Sequence, residues 1–126
     1  MRARFAFAAL TAIGAGCAPS PPIAPTVVAE TAGRFAGPTQ PCIGTHSTGS
    51  LRVSGGHTLI YDSGATLWVN RPGEGCPGIG SDDILVTEPT GSQLCRGDVV
   101  RTLDRLSKVP GPVCVLGDWV PYARPR

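Results

Sequence analysis

Four cysteines, Cys42, Cys76, Cys95 and Cys114, are spread through a stretch of short apolar runs and glycine-containing turns that ends near Tyr122. A unit of this size buries too little surface to be secure on its hydrophobic core alone. Residues 42–122 hold only four aromatics, Tyr61, Trp68, Trp119 and Tyr122. Two disulfides would each add roughly 2–4 kcal/mol, a large share of a small domain's total stability. Four cysteines allow three pairings. Domain ends often lie close in space, which favours Cys42 with Cys114 and leaves Cys76 with Cys95. Structural zinc fits the spacing less well. Successive cysteines are 34, 19 and 19 residues apart, there is no C-x-x-C knuckle, and His46 and His57 stand apart from them. No metal and no cofactor is expected.

The chain starts with features of export. Arg2 and Arg4 precede an apolar run from Phe5 to Gly16, broken only by Thr11. Twelve residues are too few to cross a bilayer, which needs about 20. A basic start, a short apolar stretch and small residues at its end read as a secretory signal over residues 1–16. Gly14, Ala15 and Gly16 run directly into Cys17, an arrangement that resembles the lipobox of bacterial lipoproteins, whose cysteine carries the lipid. Gly14 stands where that pattern prefers Leu. Lipidation would account for the fifth, odd cysteine. The other reading is ordinary cleavage near Gly16, leaving a thiol at Cys17.

Residues 17–41 contain six prolines and no sustained periodicity, and read as a Pro/Ala-rich tether. The formal charge of +2 resides entirely in residues 1–40; from residue 41 onward eight basic and eight acidic side chains balance. The domain therefore has no basic excess with which to hold nucleic acid.

The domain itself, residues 42–122, reads as β-structure, with residues 123–126 a short tail. Leu51 and Val53 alternate with polar neighbours before Gly55-Gly56; Thr58–Tyr61 ends at Asp62-Ser63-Gly64; Thr66–Val69 ends at Asn70. Such runs with glycine turns predict a β-meander. Ile84–Val86 and Val113–Val120, the latter interrupted by Gly117, supply further strands. Val99, Val100, Leu103 and Leu106 fall at helical spacing, which admits a short helix near 98–107. Their β-branched character and strand-like neighbours favour a strand from about Leu94 to Leu103. The expected architecture is all-β: a small antiparallel roll or barrel of five to six short strands, stapled by disulfides.

Motifs for chemistry are sparse, and no catalytic residues are assigned. Ser47, Ser50, Ser54 and Ser63 lie near the histidines in sequence, but none is in a G-x-S-x-G elbow. Turn chemistry explains them better. Asp82-Asp83 fits a solvated turn before a strand and is not followed by Ca-loop spacing. Arg96-Gly97-Asp98 matches a cell-adhesion tripeptide, yet a glycine bend in a strand explains it more simply. The glycines of Gly75–Gly80 lack the Lys and following helix of a phosphate loop.

Cys42-Ile43, Cys76-Pro77-Gly78, Leu94-Cys95 with Asp98, Cys114-Val115-Leu116-Gly117 and the closing aromatics Trp119 and Tyr122 resemble a group of small exported bacterial envelope proteins that share a four-cysteine domain. The resemblance spans about residues 42–122. It implies an architecture and a compartment, and no mechanism. Together these features lead to a non-enzymatic envelope protein facing the periplasm, held to the membrane through Cys17, with a binding or structural role and an envelope protein as partner. A small periplasmic inhibitor or accessory factor is the alternative, presenting a loop around residues 72–82. A small hydrolase would need His46 or His57 beside an acid and a hydroxyl.

Overall fold

A computed structural model describes residue 16 and residues 29–45, 49–55, 57–73, 76, 79–88 and 91–126. Its core is the expected meander. β3 (Ser50–Ser54), β4 (Thr58–Asp62) and β5 (Thr66–Asn70) pair antiparallel in chain order. The turns follow from local chemistry. Gly55 takes φ 67° between β3 and β4. At the β4–β5 turn the Asp62 carboxylate accepts from the Gly64 N–H at 2.8 Å, and Gly64 sits at φ 89°, a conformation that favours glycine. Two further strands, β10 (Trp119–Ala123) and β1 (Phe35–Ala36), extend this sheet to the order β1-β10-β5-β4-β3.

Alternation sorts the sheet's side chains onto two faces. Leu59, Tyr61, Val53 and Trp119 turn to the main core, where Ile43, Cys76, Ile79, Leu94, Val100, Cys114 and Leu116 meet them. Ile60, Leu67 and Val69 form a smaller cluster on the other face, with Tyr122 beside them. β4 is thus buried on both faces, which explains its unbroken apolar run. A three-stranded sheet, β6 (Ile84–Thr87), β8 (Val99–Leu103) and β9 (Pro110–Val115), supplies Val100 and Cys114 to the core. A two-stranded sheet, β2 (Cys42–Gly44) with β7 (Gln93–Cys95), supplies Ile43 and Leu94.

The all-β, antiparallel expectation holds, and several details differ. Among the described residues there are ten short strands, against the five to six expected. Gly97, at φ 91°, divides the run expected from Leu94 to Leu103 into β7 and β8. Gly117 likewise separates β9 from β10. Among the described residues no barrel closes, because β1 and β3 end the large sheet without pairing to each other. There is no helix at 98–107. Val100 and Thr102 are buried while Val99 and Arg101 are exposed, the period of two of a strand. The chain then turns at Asp104, whose carboxylate accepts from the N–H groups of Leu106 and Ser107 at 3.0 and 2.7 Å. Leu106 sits on that turn, 93% exposed, so its helical spacing from Leu103 is incidental.

The tether is shorter than its composition implied, because residues 29–41 belong to the fold. The Glu30 carboxylate meets Arg52 at 3.0 Å and accepts from the Ser54 hydroxyl at 2.5 Å. Arg34 donates to the carbonyls of Ala65 and Tyr122. Residues 30–34 therefore run from β3 towards β10, and β1 then pairs with β10. Pro38 and Pro41 do not interfere, since the N–H groups used here belong to Gly37 and Gln40, donating to Pro121 and Trp119 at 2.8 Å each. Residues 17–28 of the tether, with Cys17, and the signal segment apart from Gly16, lie outside the described residues.

Candidate functional site

The cysteines pair as Cys42–Cys95 and Cys76–Cys114. This corrects the expected Cys42–Cys114 and Cys76–Cys95. The two bridges interleave along the chain instead of nesting. The physical reason is the pairing of β2 with β7, which puts Cys42 directly opposite Cys95. Cys114 lies opposite Val100 and faces inward, fully buried, where Cys76 reaches it. The ends of the folded domain do meet, but through Phe35 opposite Ala123 rather than through cysteines. Two disulfides suggest an oxidising environment.

Most residues singled out for chemistry prove to be engaged in turns. The Asp98 carboxylate accepts from the Cys95 N–H at 2.7 Å, and the Asp98 N–H donates to the Cys95 carbonyl at 3.0 Å. Arg96 reaches Asp118 at 3.4 Å. The Arg96-Gly97-Asp98 tripeptide is thus a strand-to-strand bend whose acid is turned onto its own backbone. The Asp83 carboxylate accepts from the Gly80 N–H at 2.8 Å and closes the turn before β6. Asp82 contributes its carbonyl to the Arg105 guanidinium at 3.1 Å. Ser63 donates to the Thr66 carbonyl, and Ser54 to Glu30. His57 is exposed on the β3–β4 turn; His46 and Ser47 lie outside the described residues. Among the described residues, no group of three His, Cys, Asp or Glu side chains could hold a metal ion.

Of residues 72–82, expected as a plugging loop, residues 74, 75, 77 and 78 lie outside the described residues. Cys76 and Ile79 are 4% and 3% exposed, and Gly73 donates to the Val115 carbonyl at 3.2 Å. Pro72, Gly73 and residues 80–82 remain at the surface.

One concavity was not legible in the sequence. Val69, Arg71, Asp118, Val120 and Tyr122 line an open groove of about 250 Å³ where β5 meets β10. It forms because the register sets Val69 opposite Val120 and Leu67 opposite Tyr122, on the face away from the main core. An apolar floor with one cation, Arg71, and one anion, Asp118, suits a small amphiphilic group or a peptide side chain. The only signal for it in the sequence was the alternation of Asp118, Val120 and Tyr122, which has no meaning until β10 is paired.

No family model, no curated protein and no solved structure matches this chain.

Proposed function

We propose that this protein is an exported envelope protein, anchored by lipid on Cys17 and facing the periplasm, which acts by binding or structural support rather than by catalysis. The observation that carries the reading is the interleaved pair of disulfides, Cys42–Cys95 and Cys76–Cys114, which calls for an oxidising compartment. The signal-like residues 1–16 and the small residues before Cys17 give the route to that compartment and the anchor. A binding role is supported by the chemistry of the described residues, in which Asp83, Asp98, Ser54, Ser63, Arg34 and Arg96 are spent on turns and strand contacts. The Val69–Tyr122 groove is the surface on which an envelope partner would be sought.

Intact mass of the exported protein, with and without reductant and alkylation, tests this reading. The expected species carries a diacylglycerol-sized increment at Cys17 and no alkylatable thiol before reduction. An unlipidated chain with a free thiol at Cys17 would remove the anchor. Four alkylatable thiols in the folded domain would remove the oxidising compartment. Crosslinking in the envelope, compared between the native chain and Arg71→Glu, then identifies a partner at the groove.

A further inference from the structure

Among the described residues seven large apolar side chains are exposed, and six of them belong to one sheet and its hairpin: Val86, Val99, Leu106, Val109, Val113 and Val115. Four are arranged by strand register. Val86 on β6 lies opposite Arg101 on β8, which lies opposite Val113 on β9; Val99 lies opposite Val115. These four valines and Arg101 point away from the main core, because their neighbours Val100, Thr102 and Cys114 point into it, at 0%, 1% and 0% exposure. The result is a field of valines around one guanidinium. Glu88, at the end of β6, completes it, with its carboxylate 4.0 Å from Arg101 Nε. A contiguous apolar face of this kind on a small domain marks an interaction surface.

The geometry points to a second copy of this chain as the occupant, with the β6-β8-β9 faces packed against each other about a two-fold axis. The charge pattern is what selects it. The face carries one cation and one anion side by side, so it is complementary to itself. A two-fold axis running between Arg101 and Glu88, perpendicular to the line joining them, sets each Arg101 against Glu88 of the other copy and gives an alternating cluster of four charges. An anionic lipid surface would be met by cations alone, and here Glu88 opposes that. Edge-to-edge strand addition is blocked on β9, where Pro110 and Pro112 have no N–H to offer. Association through this valine face is face to face, as in stacked sheets. Valines suit it, because their χ1 is already restricted and little side-chain freedom is lost on burial. This inference does not depend on export or on the lipid.

Sedimentation velocity of the full-length exported protein, from low micromolar to near-millimolar concentration, tests it. Every variant shares the same lipid state, so association through lipid is common to all. The native chain is expected to form a dimer. Val113→Asp buries a charge among the valines, and Arg101→Glu sets like charges against each other. Each is expected to weaken the dimer about tenfold or more. The double variant Arg101→Glu with Glu88→Arg is expected to restore it. Arg101 is exposed, so the charge variants keep the test open even if Val113→Asp folds poorly. A native chain that stays monomeric throughout, or a double variant no better than Arg101→Glu alone, would overturn the proposal. A monomer whose binding to phosphatidylglycerol vesicles is weakened by Val113→Asp, at the same lipid state, would overturn it in favour of a lipid surface.

Discussion

Asn70 and Gly117 exchange two hydrogen bonds. The fully buried Asn70 amide donates to the Gly117 carbonyl at 2.8 Å, and its Oδ1 accepts from the Gly117 N–H at 3.0 Å. A side chain at the end of β5 thus serves as strand partner for the bend between β9 and β10. That bend also admits no side chain: a Cβ on Gly117 would lie 2.6 Å from the Arg71 carbonyl oxygen. The link holds the five-stranded sheet to the sheet that carries Cys114.

Asn70→Ala leaves the Gly117 N–H and carbonyl without partners, and is expected to cost about 1–3 kcal/mol. Gly117→Ala forces the backbone away from Arg71, with an expected cost of about 1–3 kcal/mol as well. Urea denaturation followed by tryptophan fluorescence measures both, since Trp119 is buried two residues from the bend. A native-like midpoint for either variant would mean that the bend is held by something else.

The two disulfides should differ in worth, and against the order of their loop lengths. Cys42–Cys95 closes the longer loop, with a separation of 53 against 38 for Cys76–Cys114. Chain entropy alone therefore gives the first bridge slightly more, within the usual range of about 2–4 kcal/mol each. Cys76 and Cys114 are buried in the core, however, and trimming them to Ala leaves a void there. The pair Cys76→Ala with Cys114→Ala is expected to lower the urea midpoint more than Cys42→Ala with Cys95→Ala. The reverse order would show that loop closure outweighs packing in this domain.

Glu30 ties the N-terminal segment to β3 through Arg52 and Ser54. Both Glu30 and Arg52 are about a third exposed, so the ion pair itself contributes little. Glu30→Ala is expected to cost about 1 kcal/mol. Its larger effect falls on hydrogen exchange. Amides at Gly37 and Gln40, which donate to Pro121 and Trp119, should exchange faster while those of β4 stay protected. Uniform acceleration across the domain would contradict a local role.

Asp104 makes the β8–β9 hairpin sensitive to acid. Hydrogen bonds from the Ser107 N–H and hydroxyl, then from the Leu106 N–H, with the nearby Lys108 charge, hold its carboxyl below the ordinary carboxylate range. Because the folded value is depressed, the contribution is present above the unfolded value and is lost as pH falls through the folded one. Carbon-detected NMR titration should place the Asp104 midpoint below that of a free aspartate. Asp104→Asn keeps an acceptor oxygen for the loop and should remove this component of the acid limb. An unshifted midpoint would contradict the turn geometry.

What could be read from the sequence follows from how local each signal is. The meander was legible because Gly55, Asp62 and Gly64 encode their turns within a few residues, and alternation at Leu51 and Val53 gives the buried face. β1 and β2 escaped because Phe35-Ala36 and Cys42-Ile43-Gly44 are too short to show a period and lie among prolines. The cysteine pairing was not legible for a related reason. Which cysteines meet depends on β2 pairing with β7, a contact across 53 residues with no local signature. The groove at Val69 and Tyr122 and the valine face around Arg101 depend in the same way on strand order. The acid of Arg96-Gly97-Asp98 was legible in part, since a glycine between charges already suggested a bend.

The central claim is that four cysteines form two interleaved bridges in an oxidising compartment, and peptide mapping of the exported, unreduced protein tests it most directly. Trypsin together with an endoproteinase that cuts before aspartate separates the cysteines onto fragments 35–52, 62–81, 83–96 and 109–117. The expected result is 35–52 joined to 83–96 and 62–81 joined to 109–117, each pair released by reductant. Fragment 35–52 joined to 109–117 or to 62–81, or four alkylatable thiols before reduction, would contradict it.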